Sequence, residues 1–301
     1  MTTKLPNRPV VAIFWMLVTG VCFIAVTAIV KYTGPRMPPA QMAFLRYAMG
    51  LIFLLPAFSA LRSAHLTPRQ WRLFGLRGFL HGLGVILWFY AMVRIPIADL
   101  TAMNYLAPVY VTIGAALFLG ERLAFRRIAA VVIALAGAAI ILRPGLREVT
   151  DGHLAMLVAA VVFAGSYLIA KVVADEAKPA VVVAMLSIFV TLTLAPFAFA
   201  NWVTPTWDGL GLLFMVACFA TAGHYSMTLA FAAAPVTVTQ PVTFTQLIWA
   251  VLLGYLVFDE PADVWVIVGG AVILASVTFI TWREARLNRS GVTPVANETK
   301  L

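Results

Sequence analysis

Ten apolar stretches follow one another along the chain, and this repetition constrains its fold more than any other feature. They run over 10–30, 41–60, 73–92, 98–119 and 126–142, and again over 153–171, 180–200, 209–231, 236–258 and 263–282. About 20 apolar residues in a helix cross a hydrocarbon layer of about 30 Å. Barrel strands are half that length and alternate apolar with polar residues, which these stretches do not. Helix is therefore the expected state throughout, since it satisfies its own backbone in lipid. Breakers separate the stretches: Gly34-Pro35, Pro38-Pro39, Thr67-Pro68, Pro96, Pro144-Gly145, Pro179, Pro205, Pro235 and Pro261. Composition agrees. The 301 residues are 62% hydrophobic and 11% charged, with mean hydropathy +0.97, against about 45–50% and about 25% for soluble domains. That excludes a cytosolic enzyme, a disordered chain and a disulfide-rich secreted domain. The expected fold class is an all-α integral membrane protein with ten transmembrane helices.

Charge gives orientation. Ten spans put both termini on one face. That face carries Lys4, Arg8, Arg62, Arg69, Arg72, Arg122, Arg126, Arg127, Lys171, Lys178, Arg283, Arg286, Arg289 and Lys300. The other carries only Lys31, Arg36, Arg94, Arg143 and Arg147, while Arg46 and Arg77 fall within spans or at their edge. The positive-inside rule then predicts cytoplasmic termini in a cell inner membrane. The net charge of +9 is read as this bias and not as a nucleic-acid surface. The first stretch is longer than a signal-peptide core and lacks an A-x-A site, so it reads as an uncleaved span. Cys22 and Cys218 lie in apolar runs and read as small buried hydrophobes.

The two halves resemble each other at an offset of about 139. Tyr90-Ala91-Met92 with Pro96 matches Leu229-Ala230-Phe231 with Pro235, and Leu119-Gly120-Glu121 matches Phe258-Asp259-Glu260. Phe23, Ile29 and Lys31 match Phe163, Ile169 and Lys171 at 140. Each half has five spans, an odd number, so the second copy runs inverted. Inverted repeats are the architecture of many secondary transporters, with the site near the midplane. The expected units are 10–142 and 153–282, followed by a cytoplasmic tail, 283–301.

Several segments together resemble the drug/metabolite transporter superfamily in its ten-helix form with paired EamA-type domains. In the first half they are Gln41-Met-Ala-Phe-Leu-Arg46-Tyr, Trp88-Phe-Tyr90-Ala91, and Ala107-Pro108 followed by Gly120-Glu121. In the second they are Ala234-Pro235, Gly254-Tyr-Leu-Val-Phe-Asp-Glu260 and Gly269-Gly270. The resemblance covers nearly the whole chain. It implies an inverted five-plus-five bundle with a central cavity lined by helices one, three, four, six, eight and nine. It also implies diverse cargo, from amino acids and vitamins to nucleosides, sugars and toxic cations. The second half departs at Pro241, which lies 19 residues before Glu260 where Pro108 lies 13 before Glu121, and at Met185 or Leu186, which stands where the first half has Arg46.

Polar residues within spans are the candidates for substrate contact. Arg46 is too deep for an ordinary loop charge and costs about 2.5–3.5 kcal/mol at a helix centre. It reads as a clamp for a carboxylate or phosphate, or alternatively as a snorkelling residue or a partner of Asp99 or Glu260. Trp88, with His81, Gly84 and Val85, forms one face of the third span, and Tyr90 sits one turn on. These aromatics hold a planar or cationic ligand or belong to an interfacial belt. His81 is the candidate for proton coupling, or a helix–helix hydrogen bond. Thr101, Asn104, Tyr105 and Pro108 stack on the fourth span, where Pro108 frees a carbonyl near mid-membrane. Asn104 and Tyr105 are expected to face a cavity. Thr221, His224, Tyr225 and Thr228 form a polar face on the eighth span. Gln240, Thr243, Gln246 and Trp249 lie along the ninth, where Pro241 kinks or unwinds the chain. The substrate set is thus Arg46, Trp88, Tyr90, Asn104, Tyr105, His224, Gln246 and Trp249. For Asn104, Tyr105, His224, Gln246 and Trp249, interhelical hydrogen bonding is the plainer reading. Ala130, Ala134, Ala138, Ala271 and Ala275 are expected packing seams, with a homodimer role as the other reading. Glu121 and Glu260 are expected to cap helices and make gate contacts rather than carry protons.

These features predict a secondary active transporter for a small organic metabolite, working by alternating access. An amino acid or a riboflavin-like vitamin fits the aromatic lining, and a nucleoside-like cargo is compatible with it. Expected partners are the cargo, membrane lipids and a proton or other coupling ion, with no nucleic acid. No P-loop is present, and no cofactor, metal site or catalytic residue is expected. A lipid flippase or scaffold is the alternative, and an integral-membrane enzyme comes last.

Overall fold

The computed structural model describes residues 8–57, 61–118, 125–174, 176–234 and 236–290. Within them the chain forms ten helical elements in sequence. These are α1 (Pro9–Thr33), α2 (Pro39–Gly50), α3 (Pro68–Met92), α4 (Ile97–Phe118), α5 (Phe125–Leu142), α6 (Asp151–Ala174), α7 (Pro179–Ala200), α8 (Trp207–Ala233), α9 (Phe244–Val257) and α10 (Val264–Ser290). Eight are long and apolar enough to cross a membrane, and α2 and α9 are shorter apolar helices. The face where α1 begins is called the near face, and the opposite one the far face.

Local sequence sets the starts. Proline opens α1, α2, α3 and α7, where its missing N–H is no loss. A capping box starts α3: Thr67 Oγ1 accepts from Gln70 N at 3.3 Å, and Gln70 Oε1 accepts from Thr67 N at 2.9 Å. Thr206 caps α8 by accepting from Gly209 N.

Two spans are broken, one in each half. In α4 the helix Ile97–Asn104 stops and resumes as Ala107–Phe118. Pro108 explains the stop, because it cannot donate to the Asn104 carbonyl and its ring crowds that group. Before α9 the chain makes a single helical turn, Val236–Thr239, then a 3₁₀ segment, Gln240–Thr243, that contains Pro241. The expected ninth span over 236–258 is therefore an α-helix only from Phe244, because Pro241 unwinds its start. The second span is similarly shortened, passing after Gly50 into a 3₁₀ segment, Leu51–Ala57.

The packing maps onto itself when the halves are exchanged. α1 lies along α8 as α6 lies along α3, α2 meets α8 as α7 meets α3, and α2–α7 and α5–α10 pair across the pseudo-axis. The main core is fully buried at Phe89, Met92, Ile95, Leu100, Met103 and Leu106, around the α3–α4 turn and the α4 break. The circumference is apolar and exposed, at Phe14, Phe118, Phe125, Leu192 and Leu256 among others, as lipid contact requires.

Small residues bring helices close. A Cβ on Gly137 of α5 would lie 2.9 Å from the Gly269 carbonyl of α10, and one on Gly269 would lie 2.6 Å from the Gly137 carbonyl. Ala130, Ala134 and Ala138 are buried as a packing seam demands. Ala271 and Ala275 are not in that seam. They line an open apolar groove of about 560 Å³ with Pro241, Phe244, Phe279 and Trp282. The reason is register: the close contact with α5 uses Gly269 and Ile273, on a different face of α10.

Candidate functional site

The two broken spans meet. Tyr105, at the α4 break, donates its hydroxyl to the Thr243 carbonyl at the end of the 3₁₀ segment, at 2.8 Å. A side chain at one break is thus tied to the backbone at the other. Asn104 and Pro108, on the next face of α4, are exposed, and the Asn104 side chain has no partner among the described residues. Pro108 and Thr112 continue into a pocket of about 270 Å³ walled by Tyr167 of α6 and by Val277, Ile280 and Thr281 of α10. Discontinuous helices facing each other across a pseudo-axis are the usual site architecture of carriers built from inverted repeats.

A second set of polar groups stands between α2, α3, α6 and α8. The Arg46 guanidinium lies over the Tyr47 ring, 4.0 Å from its centroid. Arg46 and His81 are partly buried, and His224 is exposed. His81 packs against Phe163 at 5.0 Å and Tyr167 at 6.2 Å, and its Nδ1 is 3.3 Å from Ser166 Oγ. His224 packs against Phe23 at 5.1 Å. Phe23 and Phe163 are the matched residues of the internal repeat, and each also covers a glycine of the helix opposite, Gly223 and Gly84. The same packing unit is therefore built twice.

The remaining expected site residues are more dispersed. Trp88 is partly buried, and its indole Nε1 is sealed from solvent with no hydrogen-bond partner. Gly84 and Val85, expected beside it, are packed into the protein interior. Tyr90 sits at the far edge, with the Arg94 guanidinium 3.5 Å from its ring centroid and Arg94 Nη1 donating to its carbonyl. Gln246 rests its stem on Gly20 of α1, and Trp249, one turn on, is about half exposed. Thr221 and Thr228 spend their hydroxyls on Ala217 and His224 carbonyls of their own helix. The Gln240 side chain and Glu121 lie outside the described residues.

Arg46 pairs with neither Asp99 nor Glu260. Both carboxylates are used on the far face. Glu260 Oε1 is 2.5 Å from Lys31 Nζ, and its Oε2 accepts from Ile97 N at 2.8 Å. Lys31 also donates to the Ile95 carbonyl at 2.7 Å. One ion pair thus ties the end of α1, the α3–α4 turn and the α9–α10 turn together. Beside it, buried Asp99 accepts from Arg147 at 2.6 Å and from His153 Nε2 at 2.9 Å. Thr150 N–H donates to His153 Nδ1, which assigns the ring proton to Nε2, facing Asp99. Arg143 pairs with Asp263. Gln41 closes the adjoining edge by donating to and accepting from the Val203 backbone, at 2.6 and 2.9 Å. On the near face Arg69 pairs with Glu176 at 2.5 Å.

Sequence reasoning missed Arg77, Tyr167 and Phe163 as neighbours of His81. Arg77 is buried on α3, one turn before His81. It donates to the Val182 carbonyl at 3.1 Å, and its Nε has no partner. The i, i+4 spacing of Arg77 and His81 was the available signal.

The sequence pattern of the EamA-like transporter family matches residues 10–143 and again 150–282. The chain belongs to the EamA-like transporter family. It is therefore a multi-pass membrane protein of a transporter family within the drug/metabolite transporter superfamily. It is 30% identical to a riboflavin transporter of Rhizobium johnstonii over 94% of this chain and 95% of that one. It is 29% identical to a riboflavin transporter of Vibrio cholerae, over 95% and 98%. An S-adenosylmethionine uptake transporter of Rickettsia conorii is 26% identical over 91% and 94%. A solved structure 16% identical superposes with a TM-score of 0.61 over 92% of this chain and 98% of that chain, which supports the fold.

Proposed function

We propose that this transporter is a secondary active carrier that moves a small organic metabolite across the inner membrane by alternating access, with both termini in the cytoplasm. The carrying observation is the far-face clasp, in which Lys31 and Glu260 hold the ends of α1, α4 and α9 together over a polar interior. On this reading the structure is closed to the outside. Residues 10–142 and 153–282 are the two inverted units that rock against each other, and 283–301 is the cytoplasmic tail.

The cargo site is assigned to Arg46, Trp88, Asn104, His224, Gln246 and Trp249, with Tyr105 and Tyr90 at its far end. In the far-closed state the Tyr105 hydroxyl and the Tyr90 ring are engaged by Thr243 and Arg94, so these two meet cargo only when the far side opens. A flat, hydrogen-bonding cargo such as a flavin, an amino acid or a nucleoside fits aromatic walls with isolated amide donors. The names of the flavin-transporting relatives favour the first. His81, held by Ser166 in this state, is the proposed proton relay. A proton or another ion gradient is the proposed energy source, since no nucleotide-binding motif is present.

A lipid flippase would draw on the apolar groove between Pro241 and α10. That groove is bordered by Phe244, and Gln246 lies two residues on, about 200° around the helix. It is thus separate from the polar interior, which argues for a soluble cargo. Uptake of labelled riboflavin, amino acids and nucleosides into proteoliposomes, with and without a pH gradient, tests the proposal. Saturable uptake lost in Arg46→Ala and Trp249→Ala is expected. Scrambling of labelled lipid without uptake of any soluble solute would reject it.

A further inference from the structure

Among the described residues, the apolar spans of this membrane protein hold two arginines and no carboxylate beyond a first helical turn. Each of the chain's 12 Asp and Glu lies outside the apolar spans or in the first turn of one. The carboxylates nearest the interior, Asp99 and Glu260, are already used by Arg147, His153 and Lys31. Two arginines do lie within spans. Arg46 sits seven residues into α2 from the far side, about 10 Å of helix rise. Among the described residues it meets a ring face and no carboxylate. Arg77 sits nine residues into α3 from the near side, 8% exposed, with a single carbonyl for a partner and its Nε unsatisfied. Tyr47, the next residue of α2, lays its ring under Arg46. Tyr167, which packs on His81 at 6.2 Å, lines the pocket beside Pro108.

An uncompensated guanidinium inside a bilayer is expensive and needs an anion or water. Where the protein supplies water alone, a passing anion lowers the free energy further. A cleft of one sign also concentrates counter-charged solutes. We propose that the cargo carries an acidic group, a carboxylate or phosphate on a planar ring system, and that this group docks at Arg46 with Arg77 as the cationic step between Arg46 and the near face. The inference rests on the carrier reading above and narrows its cargo to organic anions or zwitterions presenting an anionic end. Within the flavin class favoured above, a phosphorylated flavin would then bind more tightly than riboflavin, and a cationic sulfonium compound would be the poorer ligand.

Matched pairs that share a ring and differ in charge test it. Riboflavin with riboflavin 5′-phosphate, nicotinamide with nicotinate, and indole-3-acetamide with indole-3-acetate are suitable. Thermal unfolding of the purified protein in detergent reads binding, and proteoliposome uptake reads transport. The expected result is that at least one acid stabilises the protein saturably and binds about tenfold or more tightly than its neutral mate. That preference disappears in Arg46→Gln, is partly kept in Arg46→Lys, and weakens in Arg77→Lys. Because Arg77→Gln can fail to fold, Arg46→Gln carries the decision. Equal or tighter binding of the neutral members, or an acid preference that survives in Arg46→Gln, overturns the inference while leaving the carrier reading intact. Acid binding that Arg46 controls, with no uptake of any compound, upholds the anion site and counts against the carrier.

Discussion

Neutralising Glu260 should open the far side. In Glu260→Gln the amide oxygen still accepts from Ile97 N, but Lys31 keeps only the Ile95 carbonyl as partner. The pair is largely enclosed, with side chains 16% and 12% exposed. Breaking a buried pair costs about 3–5 kcal/mol. Residual exposure and the retained hydrogen bond reduce this to about 2 kcal/mol at the low end of measured desolvated pairs. If the clasp exists only in the far-closed state, that cost falls on one side of the equilibrium and shifts it by about 30-fold. The assay replaces Cys22 and Cys218 and places a single cysteine at Asn104. An impermeant maleimide is then applied from the far side of oriented vesicles. Labelling should rise by about tenfold or more in Glu260→Gln and in Lys31→Met, each folded as judged by monodispersity. Unchanged labelling in both variants would refute the reasoning, because the pair would then be a static brace present in every state.

Trp88→Phe should keep or slightly raise thermal stability, because it removes a buried N–H that has no partner; if cargo accepts from that N–H, KM for uptake rises while kcat changes little. Tyr105→Phe should lower stability by about 1 kcal/mol through loss of the bond to the Thr243 carbonyl, measured as a lower midpoint of unfolding in detergent. Gly78→Ala should destabilise by about 1–3 kcal/mol, since its Cβ would meet the Phe189 side chain and approach the Phe189 backbone carbon to 3.1 Å; reduced yield and an earlier unfolding transition would show it.

The ten apolar stretches and the family were legible in the sequence because hydrocarbon thickness sets a length that composition reveals directly. The breaks at Pro108 and Pro241 were legible for a local reason, the missing N–H of proline. The site was legible only in parts. Arg46, Trp88 and the α4 face stood out as polar residues in apolar runs, but which of them share an interior depends on how one repeat is inverted onto the other. The His153–Asp99 contact spans 54 residues, and Lys31–Glu260 spans most of the chain, so no spacing announces either. Arg77 went unused because a charge near a span's edge looks the same whether it snorkels or is buried against Val182. The alanines of α10 misled because small residues at helical spacing say that a close approach is possible, not which face makes it.

Counterflow across a closed clasp is the most direct test of the central claim. Proteoliposomes would contain Lys31→Cys/Glu260→Cys protein lacking the two native cysteines, and would be preloaded with an unlabelled cargo identified by the uptake screen. The account predicts transient accumulation of labelled cargo above equilibrium in the reduced protein, and its abolition when the two cysteines are cross-linked. Simple equilibration without overshoot, or counterflow that persists through the cross-link, would contradict alternating access at this gate.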